Sequence, residues 1–398
     1  MTSEAYVFID GLEDTPVICG VTRIKDNGKP GQFRYGKSYL GRPDAFPLDP
    51  INLPLSDEVF STSARNGLFG ALTDAGADSW GEKVILSLHK TKPKNKLEFL
   101  LAGSGMGVGA LVFSLSQSAS KPKWNKNMVG DVPMLLRAKD AILRDEAIPE
   151  EAKKAFEYGS SMGGARPKTI VQDGDRSYLA KFNRPDDLFN TVKVEHASMT
   201  MLKELGGKVA NTSTLHSHGS DILLVERFDL LKGRPIAHFL SANSIFNLPK
   251  LNSQSMQTTY TYGFLAEFIM KYGDNPLDAH DLYKRMAFNV FMGNTDDHSR
   301  NHALLYHFDS KRWGLSPAYD VLPINNSKQH GIGIGQEGRE GTISNLLSQS
   351  MRFGLRADKA QKIINNVKEL CTEWPSYFAA HGVGGGDLER LEFVIPDV

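Results

Sequence analysis

Cysteine is nearly absent from this chain of 398 residues: only Cys19 and Cys371 occur, far apart in sequence. Two such residues make neither a disulfide framework nor a zinc site, and they point to a reducing compartment. Net charge is absent too, with 46 Lys and Arg against 46 Asp and Glu. A neutral chain does not favour nucleic acid or a membrane surface as direct partner. No apolar run approaches the ~18 residues of a membrane span. The start, MTSEAYVFIDGLEDTP, lacks the basic region and apolar core of a signal peptide. Internal repeats and low-complexity tracts are missing as well. We expect a cytoplasmic protein with no membrane partner.

What is present is material for a core, since 40% of the residues are hydrophobic. The length predicts two or three subdomains, and the texture places them at 1–100, 101–230 and 231–398. In the first, AYVFID and TPVICGVTRI read as strands and PGQFRYGKSYL as a strand pair. ARNGLFGALTDAGADSWGEKVILSLHK follows with helical spacing of Leu68, Leu72, Trp80 and Val84. From about residue 97 onward, across that boundary, KLEFLLAG, MLLRAKDAIL and IPEEAKKAFEYG read as helices. GSSMGGARPKTIVQDGDRSYLAKFN then predicts a glycine turn leading into a β-hairpin. KVEHASMTMLKELG is an amphipathic helix closed by Gly206, and DILLVERFD a buried strand. The third is mostly helical, with a hairpin-like HALLYHF…WGLSPAYDVLPI and a GIGIG segment between its later helices.

Against this background GNTDDHSRNHALL, residues 293–305, stands out as a dense polar cluster after the apolar MAFNVFM. Asp296 and Asn301 have the Asp-x-x-x-x-Asn spacing of a kinase catalytic loop, with aspartate as base and asparagine as magnesium ligand. His298 and Arg300 lie between them. A metal or hydrolase reading of Asp297 and His298 lacks a second histidine pair. Phosphoryl transfer needs further parts, and the chain offers them in kinase order. Gly163 and Gly164 allow backbone N–H groups to approach phosphate oxygens. Lys181 follows one hairpin later, as a phosphate lysine does, although an exposed edge-strand lysine has the same pattern. Glu195 could pair with it or be a solvated residue at a helix start. Glu226 and Phe228 flank a strand end able to serve as an adenine hinge. Asp320 ends a short apolar strand, where a second magnesium carboxylate belongs.

Over nearly its whole length the chain resembles the HipA-like serine/threonine kinases, toxins of bacterial toxin–antitoxin pairs. The resemblance is carried by SSMGGARPKT, YLAKFN, VEHASMTMLKELG, LLVERFDL, MGNTDDHSRNHALL, LSPAYDVLP and GIGIG, and more loosely by VFIDGL and GLFGALTDAGADSWGEKVI. It implies an α+β, protein-kinase-like two-lobe fold with an N-terminal β-rich subdomain and a helical C-terminal lobe. ATP and Mg2+ are the implied cofactors. Ser161, Met162, Gly163, Gly164 and Ala165 would form the phosphate loop, with Lys181 on the phosphates and the backbone of Glu226 and Phe228 at the hinge. Asp296 would be the base, His298 its support, and Asn301 and Asp320 the metal ligands. Ser161, or its neighbour Ser160, would be autophosphorylated. The implied partners are a small helix-turn-helix antitoxin, through which the chain would touch DNA, and a protein substrate such as an aminoacyl-tRNA synthetase. A small-molecule kinase of the aminoglycoside phosphotransferase sort lacks the GGARPK loop. A catalytically silent corepressor should have lost Asp296, Asn301 or Asp320.

Overall fold

A computed structural model describes residues 2–25, 30–121, 127–147, 163–247, 259–324, 327 and 329–397. It is an α+β, kinase-like fold. The N-terminal sheet is antiparallel, in the order β4-β3-β2-β1-β5. Its strands are β1 (Glu4–Ile9), β2 (Val17–Ile24), β3 (Gly31–Tyr35), β4 (Phe60–Thr62) and β5 (Leu111–Ser114). In β3 buried and exposed residues alternate, with Phe33 and Tyr35 inward, as expected of a half-solvated strand. Ile9 faces Leu111 and Tyr6 faces Ser114. The apolar β5 thus shields the edge of β1, and the sheet reaches past the boundary expected at residue 100. The strand pair expected in PGQFRYGKSYL is half right. Gly36 makes the last bond toward β2, and Leu40 N–H then returns to Gly36 O, opening helix α1 (Lys37–Leu40). That turn buries Tyr39, whose hydroxyl donates to Phe46 O at 2.9 Å.

Helices α2 (Gly70–Asp74), α3 (Ser79–Leu88), α4 (Lys96–Ala102) and α5 (Val132–Leu143) follow the first strands. The second sheet has the order β6-β7-β9-β8. Its strands are β6 (Lys168–Asp173), β7 (Arg176–Phe182), β8 (Thr212–Ser217) and β9 (Ser220–Glu226). Helix α6 (Thr191–Lys203) crosses from β7 to β8, its start capped by Asn190 Oδ1 accepting from Lys193 N–H, a standard N-cap bond. The helix expected over 148–159 lies outside the described residues.

The C-terminal lobe holds α7 (Tyr262–Tyr272), α8 (Leu277–Phe291) and α9 (Ala357–Thr372). In α9 Ala360, Ile364, Val367 and Cys371 are the buried residues, the stripe of a helix with one face on the core. Helix α8 is buried nearly all round its last two turns, as a central helix should be. This lobe is less purely helical than expected. After a short pair β10 (Leu230–Leu231) and β11 (Arg234–Pro235), the wholly buried β12 (Ala237–Ser241) joins the expected hairpin of β13 (Ala303–His307) and β14 (Arg312–Leu315). Among the described residues no helix is long and apolar enough to cross a membrane.

One apolar cluster matters for the site. Trp80 and Val84 of α3 pack with Leu135 and Ile142 of α5 and with Val171, Ala180 and Ile222 of the second sheet. The N-terminal region is thereby bound to the sheet that carries the glycine loop.

Candidate active site

A cleft of about 540 Å³ lies where the second sheet, the C-terminal lobe and the N-terminal helices meet. Lys181 enters it from β7, an interior strand of the sheet, so the edge-strand alternative fails. The residue is 6% exposed. Its ammonium donates to Glu195 Oε1 at 2.6 Å and to Asp320 Oδ1 at 2.7 Å. Glu195 is 3% exposed and is therefore not a solvated helix-start residue. Burial alone would lower Lys181, but Asp320 and Glu195 outweigh it and hold the ammonium above its ordinary range. Burial alone would raise Asp320, but Lys181 and Lys168 hold it well below the usual carboxylate range. Asp320 has φ +59°, the left-handed region that a non-glycine residue occupies at a cost. That backbone turns its carboxylate toward Lys181.

The polar cluster after α8 separates its two aspartates. Gly293, at φ +65°, ends the helix. Asp297 points inward and is fully buried. Tyr262 hydroxyl donates to its Oδ2 at 2.7 Å and Gly331 N–H to its Oδ1 at 2.8 Å. Burial lowers His302 to about 4, so the ring is neutral. His302 Nε2 lies 3.0 Å from the Tyr262 hydroxyl oxygen. Asp296 points the other way, into the cleft. Burial raises its carboxyl, and although His298 pulls it down, Asp320 and Asp297 add to the rise. A carboxyl so placed has the chemistry of a general base. Its carbonyl accepts from Asn301 Nδ2 at 3.1 Å, which leaves the Asn301 amide oxygen as the donor atom for a ligand. His298 lines the same cleft, its Nδ1 buried without a hydrogen-bond partner among the described residues.

Gly163, Gly164 and Ala165 line the other side, as do Glu226 and Phe228. Glu226 turns its carboxylate outward to Asn211 Nδ2 at 3.0 Å, so only its backbone is available to a ligand in the cleft. Phe228 packs on Tyr319 at 5.7 Å between ring centres. Ser160, Ser161 and Met162 lie outside the described residues. Lys168 was missed from sequence because a lysine after a proline on a strand reads as solvated. It is 5% exposed, and its ammonium donates to Gly163 O at 2.8 Å. Burial lowers its pKa against the pull of Asp320. Among the described residues no three His, Cys, Asp or Glu side chains group to hold a metal. The pair Asn301 and Asp320 offers the two oxygens that a magnesium ion shared with phosphates requires.

Residues 160–374 match the HipA-like C-terminal domain and residues 19–114 the HipA N-terminal domain. A candidate kinase of Haemophilus influenzae is 25% identical over 201 residues, which cover 46% of this chain and 57% of that protein. Y4mE, a candidate kinase of Sinorhizobium fredii, is 22% identical over 73% of this chain and 71% of its own length. The chain thus spans little more than half of the Haemophilus protein. In fold it is similar to a chain from the Shewanella oneidensis toxin–antitoxin complex of HipA, HipB and operator DNA. There the TM-score is 0.71 at 17% identity, covering 97% of this chain and 94% of that one. With both domain matches in order along a kinase-like fold, the chain belongs to the HipA family.

Proposed function

We propose that this protein is an ATP- and magnesium-dependent serine/threonine protein kinase that arrests growth as the toxin of a toxin–antitoxin pair. The observation that carries the reading is Lys181 held between Glu195 and Asp320, with Asp296 and Asn301 in the same cleft. Lys181 and the N–H groups of the glycine loop other than that of Gly164 hold the nucleotide phosphates. Asp296 accepts the proton of the attacking hydroxyl as its oxygen bonds to the γ-phosphorus. The bond from that phosphorus to the β–γ bridging oxygen breaks, and ADP leaves with the electron pair. His298 supports the loop that presents Asp296. Asn301 and Asp320 would hold magnesium, which supplies charge neutralisation on the phosphates. The backbone at Glu226 and Phe228 receives the adenine. Ser161, or Ser160, in the glycine loop accepts a phosphate in a self-limiting reaction, because the added charge repels a nucleotide from the same N–H groups.

The Shewanella complex of HipA with HipB and DNA supports a small helix-turn-helix antitoxin as partner, with DNA reached through it. The protein substrate we favour is an aminoacyl-tRNA synthetase. Incubation with labelled ATP and magnesium tests the chemistry. Asp296→Asn should lower transfer by ~10²-fold or more with nucleotide binding kept, whereas Lys181→Ala should weaken binding too. Near-normal transfer by Asp296→Asn overturns the assignment. Expression of the wild type should arrest bacterial growth and Asp320→Ala should not. Arrest by both would separate toxicity from phosphoryl transfer.

A further inference from the structure

Asp78 occupies the N-cap position of α3 with extended backbone, yet its side chain makes no cap hydrogen bond to its own helix. An aspartate there ordinarily accepts from the N–H groups of the first turn. Here the carboxylate is turned across the cleft instead. Oδ1 accepts from Gly164 N–H in a short contact, and Oδ2 accepts from Arg300 Nη1 at 2.6 Å. One side chain of the N-terminal region therefore touches the glycine loop and the catalytic loop at once.

Two further bonds from α3 act on the same loop. Trp80 N–H donates to Gly164 O at 3.2 Å, so Gly164 is held at both its N–H and its carbonyl. The Trp80 indole N–H donates to Lys168 O at 2.9 Å. On the catalytic-loop side, Tyr319 hydroxyl donates to Arg300 O at 2.7 Å, tying that arginine to the residue before Asp320. Gly164 itself has φ +98°, and a Cβ there would lie 2.1 Å from the Lys168 ammonium. The Lys168 ammonium, which donates to Gly163 O, borders the loop on its inner side, and α3 closes its outer side. The apolar packing of Trp80 on the second sheet fixes where Asp78 stands.

We infer that Asp78 is a positioning residue, a clasp given by the N-terminal region that holds the glycine loop in register with the catalytic loop. The inference rests on the phosphotransferase reading for its purpose, but the clasp is a property of the free protein. Charge-assisted bonds of this kind are stronger than neutral ones. Opening the clasp releases the loop from α3 and makes nucleotide binding order it anew, which raises the KM for ATP more than it lowers kcat. The position of the N-terminal region thereby sets the affinity of the cleft.

Hydrogen exchange on the full chain without nucleotide tests the clasp directly, in the peptide that contains Gly164. Asp78→Ala should speed exchange of that amide roughly tenfold or more, the scale of one charge-assisted hydrogen bond. Asp78→Asn keeps an acceptor and should restore most of the protection. Arg300→Gln breaks the clasp from the opposite lobe and should also release the loop. It decides the matter if Asp78→Ala exchanges faster everywhere through misfolding. In turnover, Asp78→Ala should raise the KM for ATP and Asp78→Asn should recover it. Unchanged exchange in both Asp78→Ala and Arg300→Gln overturns the inference, and so does tighter ATP binding by Asp78→Ala, which would make the carboxylate a stand-in for phosphate. A wild-type protein that binds no nucleotide would sink the kinase reading and leave the exchange result standing.

Discussion

Asp296 and Asp297 are neighbours of identical chemistry with opposite surroundings. Asp297 accepts from Tyr262 and Gly331 inside the lobe, while Asp296 faces the cleft. Burial, aided by Asp320 and Asp297, raises Asp296 from its ordinary value of 3.8. Asp296 is ionised, as the proposed base must be, only above that raised value. The acid limb of kcat/KM against pH should therefore lie above 3.8, and a limb at or below it would remove Asp296 as the base. The stability signs differ between the two cleft carboxylates. A raised folded pKa means that the charge of Asp296 costs stability above it, a cost relieved as pH falls through it. Asp320, held below 3.8, contributes stability present above 3.8 and lost as pH falls through its lower folded value.

The GIGIG segment packs, as an element, against the loop that carries Asp296. Gly333 pairs with Thr261 as a parallel bridge, exchanging bonds with Tyr260 O and Tyr262 N–H at 3.0 Å each. Two residues earlier, a Cβ on Gly331 would lie 2.7 Å from the backbone of His298. Two backbones meet there, and neither can yield like a flexible side chain. Gly331→Ala should displace the loop that presents Asp296 and lower kcat by up to ~10²-fold, the cost of about 1 Å of misplacement. Nucleotide affinity should fall less than kcat: the displaced loop also carries Arg300 and Asn301, but Lys181 and the glycine loop are on other elements. Steady-state kinetics with a separate binding titration checks this. A loss confined to binding would place the segment's role elsewhere.

At the scale of the whole molecule, the strand end after Glu226 is tied back to the N-terminal region. Arg227 and Asp229 are 7% and 1% exposed and form a bidentate pair, with Nε to Oδ1 at 2.8 Å and Nη2 to Oδ2 at 2.5 Å. Arg227 also donates to Met106 O and Gly107 O, and Asp229 accepts from Gly109 N–H at 2.7 Å. Removing one partner leaves a buried charge uncompensated, which costs ~3–5 kcal/mol. Arg227→Ala should therefore shift the denaturant midpoint sharply downward. Arg227→Ala with Asp229→Ala together should cost less than the sum of the two single changes. An unchanged midpoint in Arg227→Ala would show that the tie does not hold the parts together.

The proposed kinase order of parts, whose residues line one cleft, was read without coordinates because phosphoryl transfer demands few residue types at near-fixed spacing. Asp296 and Asn301 lie five positions apart in one loop, and Gly164 and Lys181 lie one hairpin apart. Helices with one buried stripe, such as Ala357–Thr372, were equally legible, since a period near 3.6 reports a single packed face. Tertiary structure alone decided what depends on contacts distant in sequence. It buried Lys181 between Glu195 and Asp320, turned Asp297 inward and Asp296 outward, and drew Leu111–Ser114 back against the first strand. It also buried Lys168 beside the glycine loop and carried Asp78 to Gly164, 86 positions away. Nothing in the local pattern of ADSWGEK separates an ordinary capping aspartate from one that reaches across a cleft. That difference arises from the packing of Trp80 on a sheet formed by residues far downstream.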